Sequence, residues 1–141
     1  MNGLLLDTHA WIWAVAEPQM LPERLRTVLA TYTSPIYASS ATFMEIAIKI
    51  SLGKLTLNEP DLARFVTRAN AESQFELLDV SLKHLAVLQE LPWHHRDPFD
   101  RMIIAQAKEM GLTVVTRDPS FGLYGIPTLW EPTQQRRSKT R

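Results

Sequence analysis

The chain reads as an α/β fold, a mainly parallel central sheet flanked by helices on both faces in a single domain. Three observations lead there. Short apolar runs alternate with longer stretches of helical period, the rhythm of βα units. Leu4-Leu5-Leu6 is apolar at every position, as a central strand buried on both faces requires. The 141 residues, 45% hydrophobic and 21% charged, suffice for one core, and no repeat or linker divides them.

Taken in order, residues 3–6 are too short for a helix and form a strand that stops at Asp7, after which 8–16 is helical. Residues 22–33 put Leu25, Val28 and Leu29 on one stripe; Pro35 breaks that helix, and 36–39 is a second strand. Ser40 is placed to cap a mostly buried helix over 41–52 that Gly53 closes. Leu62, Phe65, Val66 and Ala69 make 60–72 amphipathic. A strand over 75–80, a helix over 81–91 capped by Ser81, and a loop over 92–96 follow. Residues 97–110 form a helix ended by Gly111, 112–116 a β-branched strand, and 126–130 a last short strand after the turn at Asp118-Pro119.

Composition narrows the chemistry. With no cysteine there is no disulfide, thiolate zinc site or cysteine nucleophile, which suits a reducing cytoplasm. The longest apolar run, Ala10 to Ala16, is far short of a membrane span, and the N-terminus lacks the layout of a signal peptide. The 15 Lys/Arg balance the 15 Asp/Glu, but Arg136, Arg137, Lys139 and Arg141 crowd one end. The division expected is a functional domain over 1–131, acidic on balance, and a flexible basic tail over 132–141.

Four acids stand where surface acids do not. Asp7 leaves the carboxyl end of a central strand, where open α/β sheets build their sites, although it also suits an N-cap. Glu45 shares a narrow polar stripe with Thr42 and Lys49, and an i,i+4 pair with Lys49 is its local explanation. A fifth acid, Asp97, is explained locally, since Asp97-Pro98 opens a helix with a cap and a first-turn proline. Asp100 points between Ile104 and Ala107 on the apolar side, opposite a solvated stripe of Arg101 and Lys108, and an acid there needs something to receive it. Asp118 again follows a strand. Carboxylates about 5 Å apart repel by roughly 3 kcal/mol at an effective dielectric of about 20, so a cluster of them calls for a cation or for bound protons. All-oxygen ligands favour Mg²⁺ or Mn²⁺ over zinc.

Leu4-Leu5-Leu6-Asp7-Thr8-His9-Ala10, then Ser40-Ala41-Thr42-Phe43-Met44-Glu45-Ile46, then Arg96-Asp97-Pro98-Phe99-Asp100-Arg101, then Thr116-Arg117-Asp118 resemble, in order and spacing, the four signatures of PIN domains, specifically of VapC-type toxins. The resemblance runs from residue 4 to about 130. It implies a PIN fold and a Mg²⁺- or Mn²⁺-dependent endoribonuclease held inactive by an antitoxin protein, with RNA as substrate and a homodimer as the assembly. Carried over by position, Asp7 and Asp100 are the principal metal ligands, Asp118 a second-site or water-mediated ligand, and Glu45 a ligand or a base orienting water. Thr116 is their hydrogen-bonding support and Asp97 a further acid. Arg101, Arg117, Lys49 and Lys54 are candidates for phosphate contacts.

Other features are read more plainly. His94-His95 is taken as structural loop, because no further nitrogen or sulfur ligands stand at suitable spacing. His9 is taken as packing or polar surface. Trp11 and Trp13, at i and i+2, face different sides, one toward the core and the other toward core or interface. Asp79 is a strand-end acid, and five glycines offer no phosphate loop. Apolar stripes on 22–33 and 60–72 suit a dimer face or an antitoxin groove. Two further classes stand open: a receiver-like signalling domain, for which paired acids near the first strand are missing, and a catalytically silent RNA- or protein-binding module.

Overall fold

The computed structural model describes residues 2–131; the basic segment 132–141, and with it the expected flexible tail, lies outside the described residues. Five parallel strands form one sheet in the order β3-β2-β1-β4-β5. At its centre β1 (Leu4–Leu6) pairs with β2 (Ile36–Ser39) through Leu4↔Ile36 and with β4 (Thr113–Val115) through Leu4↔Thr113. The outer strands β3 (Glu76–Leu78) and β5 (Thr128–Leu129) flank these. Gly3 permits the entry to β1, since a Cβ there would meet Pro35 O at 2.9 Å. Because all strands run the same way, their carboxyl ends share one edge.

The helices are α1 (Thr8–Ala16), α2 (Glu23–Thr31), α3 (Ser40–Ser51), α4 (Leu62–Ser73), α5 (Leu82–Glu90) and α6 (Pro98–Met110). Alternating strand residues send them to both faces. Leu5 and Val114 join Ile103, Ile104, Phe121 and Tyr124 in one core, whereas Leu4, Leu6 and Val115 join Trp11, Leu25, Ile46 and Phe75 in the other. Two 3₁₀ turns, Pro18–Met20 and Pro119–Tyr124, are additions to the elements expected, being too short to leave a periodic signal. Among the described residues no helix is long and apolar enough to cross a membrane.

Two helices depart from expectation here. Ser39 rather than Ser40 caps α3, accepting from Ala41 N at 3.0 Å, while Ser40 Oγ accepts from Val80 N at 3.0 Å. Nor is α3 mostly buried: Met44 and Leu52 are each 61% exposed, with Ile48 between them at 39%. The polar side, Thr42 and Glu45, turns inward instead, because Thr8 of α1 receives it. Second, α6 has no solvated stripe at Arg101. Its residues from Arg101 to Ala107 are buried without a break, since α5, α3 and β4 all pack against it.

Candidate active site

The peptide group of Asp7 extends the sheet. Its N–H donates to Val115 O at 3.1 Å, and its C=O accepts from Trp11 N at 3.0 Å as α1 begins. Its carboxylate caps α1, accepting from Ala10 N at 2.9 Å, and also hydrogen-bonds with the Thr116 hydroxyl. Thr116 Oγ1 accepts in turn from Asp118 N at 3.0 Å, so one hydroxyl couples the ends of β1 and β4. Burial pushes the Asp7 carboxyl above its ordinary range despite these hydrogen bonds.

Glu45 arrives from α3 and is buried. Its Oε1 accepts from Thr8 Oγ1 at 2.9 Å, and its Oε2 stands 3.0 Å from Lys49 Nζ. The Thr8 and Thr42 hydroxyls lie 3.2 Å apart beside it. Thr8 is therefore part of the site's support; the only sign in the sequence was its place beside Asp7. Lys49 is the partner of this acid rather than a free cation for a phosphate. Lys54, exposed just past α3, donates its backbone N–H to Lys49 O at 2.8 Å.

Asp97 spends one oxygen on the cap of α6, accepting from Phe99 N at 2.9 Å and Asp100 N at 3.0 Å. Asp118 caps the 3₁₀ turn, its Oδ1 accepting from Ser120 N at 2.9 Å and Ser120 Oγ at 2.8 Å. The free oxygens of Asp100 and Asp118 meet at one group, His95 Nε2, at 3.2 and 3.1 Å. Sequence reasoning set His95 aside as loop; the structure places it within the acids. The ligands sought for it were nitrogen or sulfur close in sequence, whereas its neighbours are carboxylates delivered by α6 and by the end of β4. His95 Nδ1 accepts from Asp97 N at 3.2 Å, and an amide can only donate, so the network puts the ring proton on Nε2, aimed at both carboxylates. Phe121 packs edge-on against the ring at 5.8 Å between centroids.

The charges are mutually felt. Asp100 is pushed up to about 7, chiefly by burial and then by Asp97, with Asp7 and Glu45 adding and His95 opposing. For the half-exposed Asp118, burial is outweighed by the Ser120 and His95 hydrogen bonds, and its carboxyl lies low. A pH dependence follows for the metal-free protein. A native carboxyl held above its unfolded value costs nothing at low pH, where both states are protonated, and destabilises increasingly as pH rises toward its native pKa. Melting temperature should therefore fall from about pH 4 to about pH 7, and Asp100→Asn should remove that residue's share of the slope and leave the share of Asp7. A flat profile in the unsubstituted chain would contradict the burial of this charge.

Of the basic residues proposed for phosphate, Arg101 is turned inward, 5% exposed. Its guanidinium donates to the carbonyls of Leu91 (3.3 Å), Pro92 (2.9 Å) and His95 (3.2 Å) and lies 3.6 Å from the ring centre of Trp93. It fastens the 92–96 segment and is corrected from phosphate contact to structural cross-link. Arg117 is exposed and shares a cavity of about 400 Å³ with Asp7, His9, Trp13, Asp118, Pro119 and Trp130. A second cavity of about 380 Å³, lined by Ala14, Leu21, Leu29 and Phe75 among others, holds none of the four acids.

The donor set suits a hard divalent cation: one atom each of His95, Asp100 and Asp118 lies within 4.8 Å of the others, and the charges of Asp7 and Glu45 are felt at Asp100. Since the Nε2 proton occupies the histidine's lone-pair position, the oxygens are the ligands on offer and the ring is their tether.

No curated protein sequence matches the chain. Among solved structures, it is similar to the VapBC2 complex of Rickettsia felis bound to a promoter DNA fragment, with 18% identity, a TM-score of 0.65, and coverage of 92% of this chain and 99% of that one. It is also similar to FitAcB of Neisseria gonorrhoeae, at 21% identity and a TM-score of 0.60, over 89% of this chain and 96% of that one. A FitAB complex bound to the IR36 DNA fragment matches at 23% identity and a TM-score of 0.63, over 89% and 93%. At these identities the likeness is one of fold. The sequence itself carries more: a family model, the PIN domain, matches residues 4–126, from β1 to the approach of β5. The chain belongs to the PIN domain family.

Proposed function

We propose that this chain is a Mg²⁺- or Mn²⁺-dependent endoribonuclease, the toxin of a toxin-antitoxin pair. The observation that carries the reading is the delivery of the buried carboxylates of Asp7 and Glu45 and the half-buried ones of Asp100 and Asp118 to one edge of the sheet, where Asp100 is pushed up to about 7. Carboxylates brought together at this cost serve a cation. Asp7, Asp100 and Asp118 would hold it, with Glu45 as a ligand or as the base that orients water. When bound, such a cation supplies an acidified water and offsets charge on the leaving oxygen. The chain's own residues do the positioning. Thr116 fixes Asp7 relative to Asp118, His95 holds the free oxygens of Asp100 and Asp118 together, and Thr8 orients Glu45. Arg117 is the basic side chain at the rim best placed for a phosphate.

The region outside the basic tail is acidic on balance, so RNA recognition would be local rather than a general electrostatic attraction. The same acids suit a basic side chain of an antitoxin, and the exposed Met44, Ile48 and Leu52 suit an apolar contact with a partner or a second copy. Residues 1–131 would form the functional domain, with a cytoplasmic location. The decisive experiment is cleavage by the purified chain. With Mg²⁺ or Mn²⁺ added, RNA should be cut internally without added nucleotide, and excess EDTA should stop it. Persistent cleavage in EDTA would reject the mechanism; no cleavage with either ion would favour the silent binding module.

A further inference from the structure

We propose that the cavity beside the acids is a nucleobase subsite, holding one base of single-stranded RNA next to the phosphate under attack. The class of polymer rests on the nuclease reading; the pocket rests on its own geometry. The period of α1 sends Trp11 into the core, where its Nε1 donates to Asn70 Oδ1 at 2.8 Å. Trp13, two residues on, is half-buried at the margin of the same core and shares a stripe with exposed His9, one turn earlier, at 5.5 Å between centroids. Trp130 is brought against Trp13, at 5.9 Å and 58°, because Thr116 N donates to Leu129 O at 3.2 Å and fixes β5 beside the end of β4. The Arg117 guanidinium stands 5.0 Å from the Trp13 ring centre.

Two indoles and a guanidinium thus border about 400 Å³ of open space whose remaining wall includes Asp7 and Asp118. Unstacked bases pack on aromatic faces and on guanidinium planes, largely whatever their identity. Charge decides which part of a nucleotide enters. The cation that Asp7 and Asp118 would hold draws the attacked phosphate to the acidic wall and Arg117 draws a neighbouring one to the rim, so the uncharged ring is left to the indoles. Since Asp7 and Asp118 also belong to the metal-binding acids, the base held is one adjoining the attacked phosphate.

The test is fluorescence anisotropy in Mg²⁺ with a labelled RNA octamer whose phosphorothioate linkages keep their charge and slow hydrolysis, beside the same octamer with abasic central positions. The full chain should bind the first more tightly than the second. Trp13→Leu, which keeps apolar packing but no π face, should weaken binding of the intact octamer about 5- to 100-fold, whereas Trp13→Phe should stay within about twofold. Trp130→Leu gives the same reading if Trp13→Leu does not fold, and the abasic comparison needs no variant. Equal affinity for both octamers, or undiminished binding by folded Trp13→Leu, overturns the subsite. So does a Trp13→Leu protein that keeps RNA affinity and loses only that for a co-expressed protein partner, which would make the pocket a protein contact. Base-dependent binding by a chain that cleaves no RNA would overturn the nuclease reading and leave the subsite standing; cleavage without base dependence would do the reverse.

Discussion

Asp100→Asn is expected to lower RNA cleavage by roughly a hundredfold or more while leaving the chain folded, because losing about 3 kcal/mol of charge stabilisation in the transition state has that effect on rate. Asparagine retains the shape of the side chain and an oxygen near His95, but not the charge a cation requires. Asp7→Asn should behave alike, since the amide oxygen can still take the Ala10 N–H that the carboxylate takes at 2.9 Å. Without metal, neither substitution should lower the melting temperature, and Asp100→Asn should raise it slightly at neutral pH, where Asp97, Asp7 and Glu45 oppose a charge at that position. Asp97→Asn is the internal control: its cap of α6 survives and only a milder loss of activity is expected. Cleavage rates with Mg²⁺ and melts in EDTA separate these effects. Undiminished cleavage by Asp100→Asn would place the chemistry elsewhere.

The second large effect falls on stability. Arg101→Ala should destabilise the chain by about 3 kcal/mol or more, measured by urea unfolding, because it orphans the Leu91 and His95 carbonyls, leaves that of Pro92 with the Tyr124 hydroxyl alone, and opens a void where the guanidinium stood. The carbonyls of Leu91, Pro92 and His95 all lose a donor, and Trp93 loses the cation beneath it. Arg101→Lys should recover little, since one ammonium cannot reproduce a planar fork that meets separate acceptors while lying against a ring. A phosphate contact would behave oppositely, weakening RNA binding with stability intact. Unchanged urea midpoints in both variants would restore Arg101 to that role.

How much of this was legible in the sequence depends on which contacts are local. Asp7 and Asp118 announce themselves because each ends an apolar strand, and in a parallel sheet that fixes the edge they occupy. Asp100 was legible from the helical angle alone. Arg101 was not, although it is the next residue: an amphipathic reading assigns a charge to solvent, and nothing within α6 foretells that the 92–96 loop folds back over it to supply carbonyls. His95 escaped for the same reason. Its partners are 5 and 23 residues away, and only the docking of α6 beside the end of β4 brings them to one nitrogen. In α3 the excess of apolar residues suggested burial all round, yet the Thr8 hydroxyl of α1 receives Thr42 and Glu45, which draws the polar side inward and leaves Met44, Ile48 and Leu52 outside.

The doubled duties of Asp7 bear on how such a site can be controlled. Its amide belongs to the sheet, its carbonyl to α1, and its carboxylate to both the cap and Thr116, so the residue is fixed on every side. Asp97 and Asp118 are likewise held by the turns they cap. Carboxylates anchored this way leave little slack for a remote signal to pull apart, since moving one of them would break a helix start or a strand pairing. A switch acting here works by obstruction: something covers the edge of the sheet or withdraws from it, and the machinery beneath stays as it was.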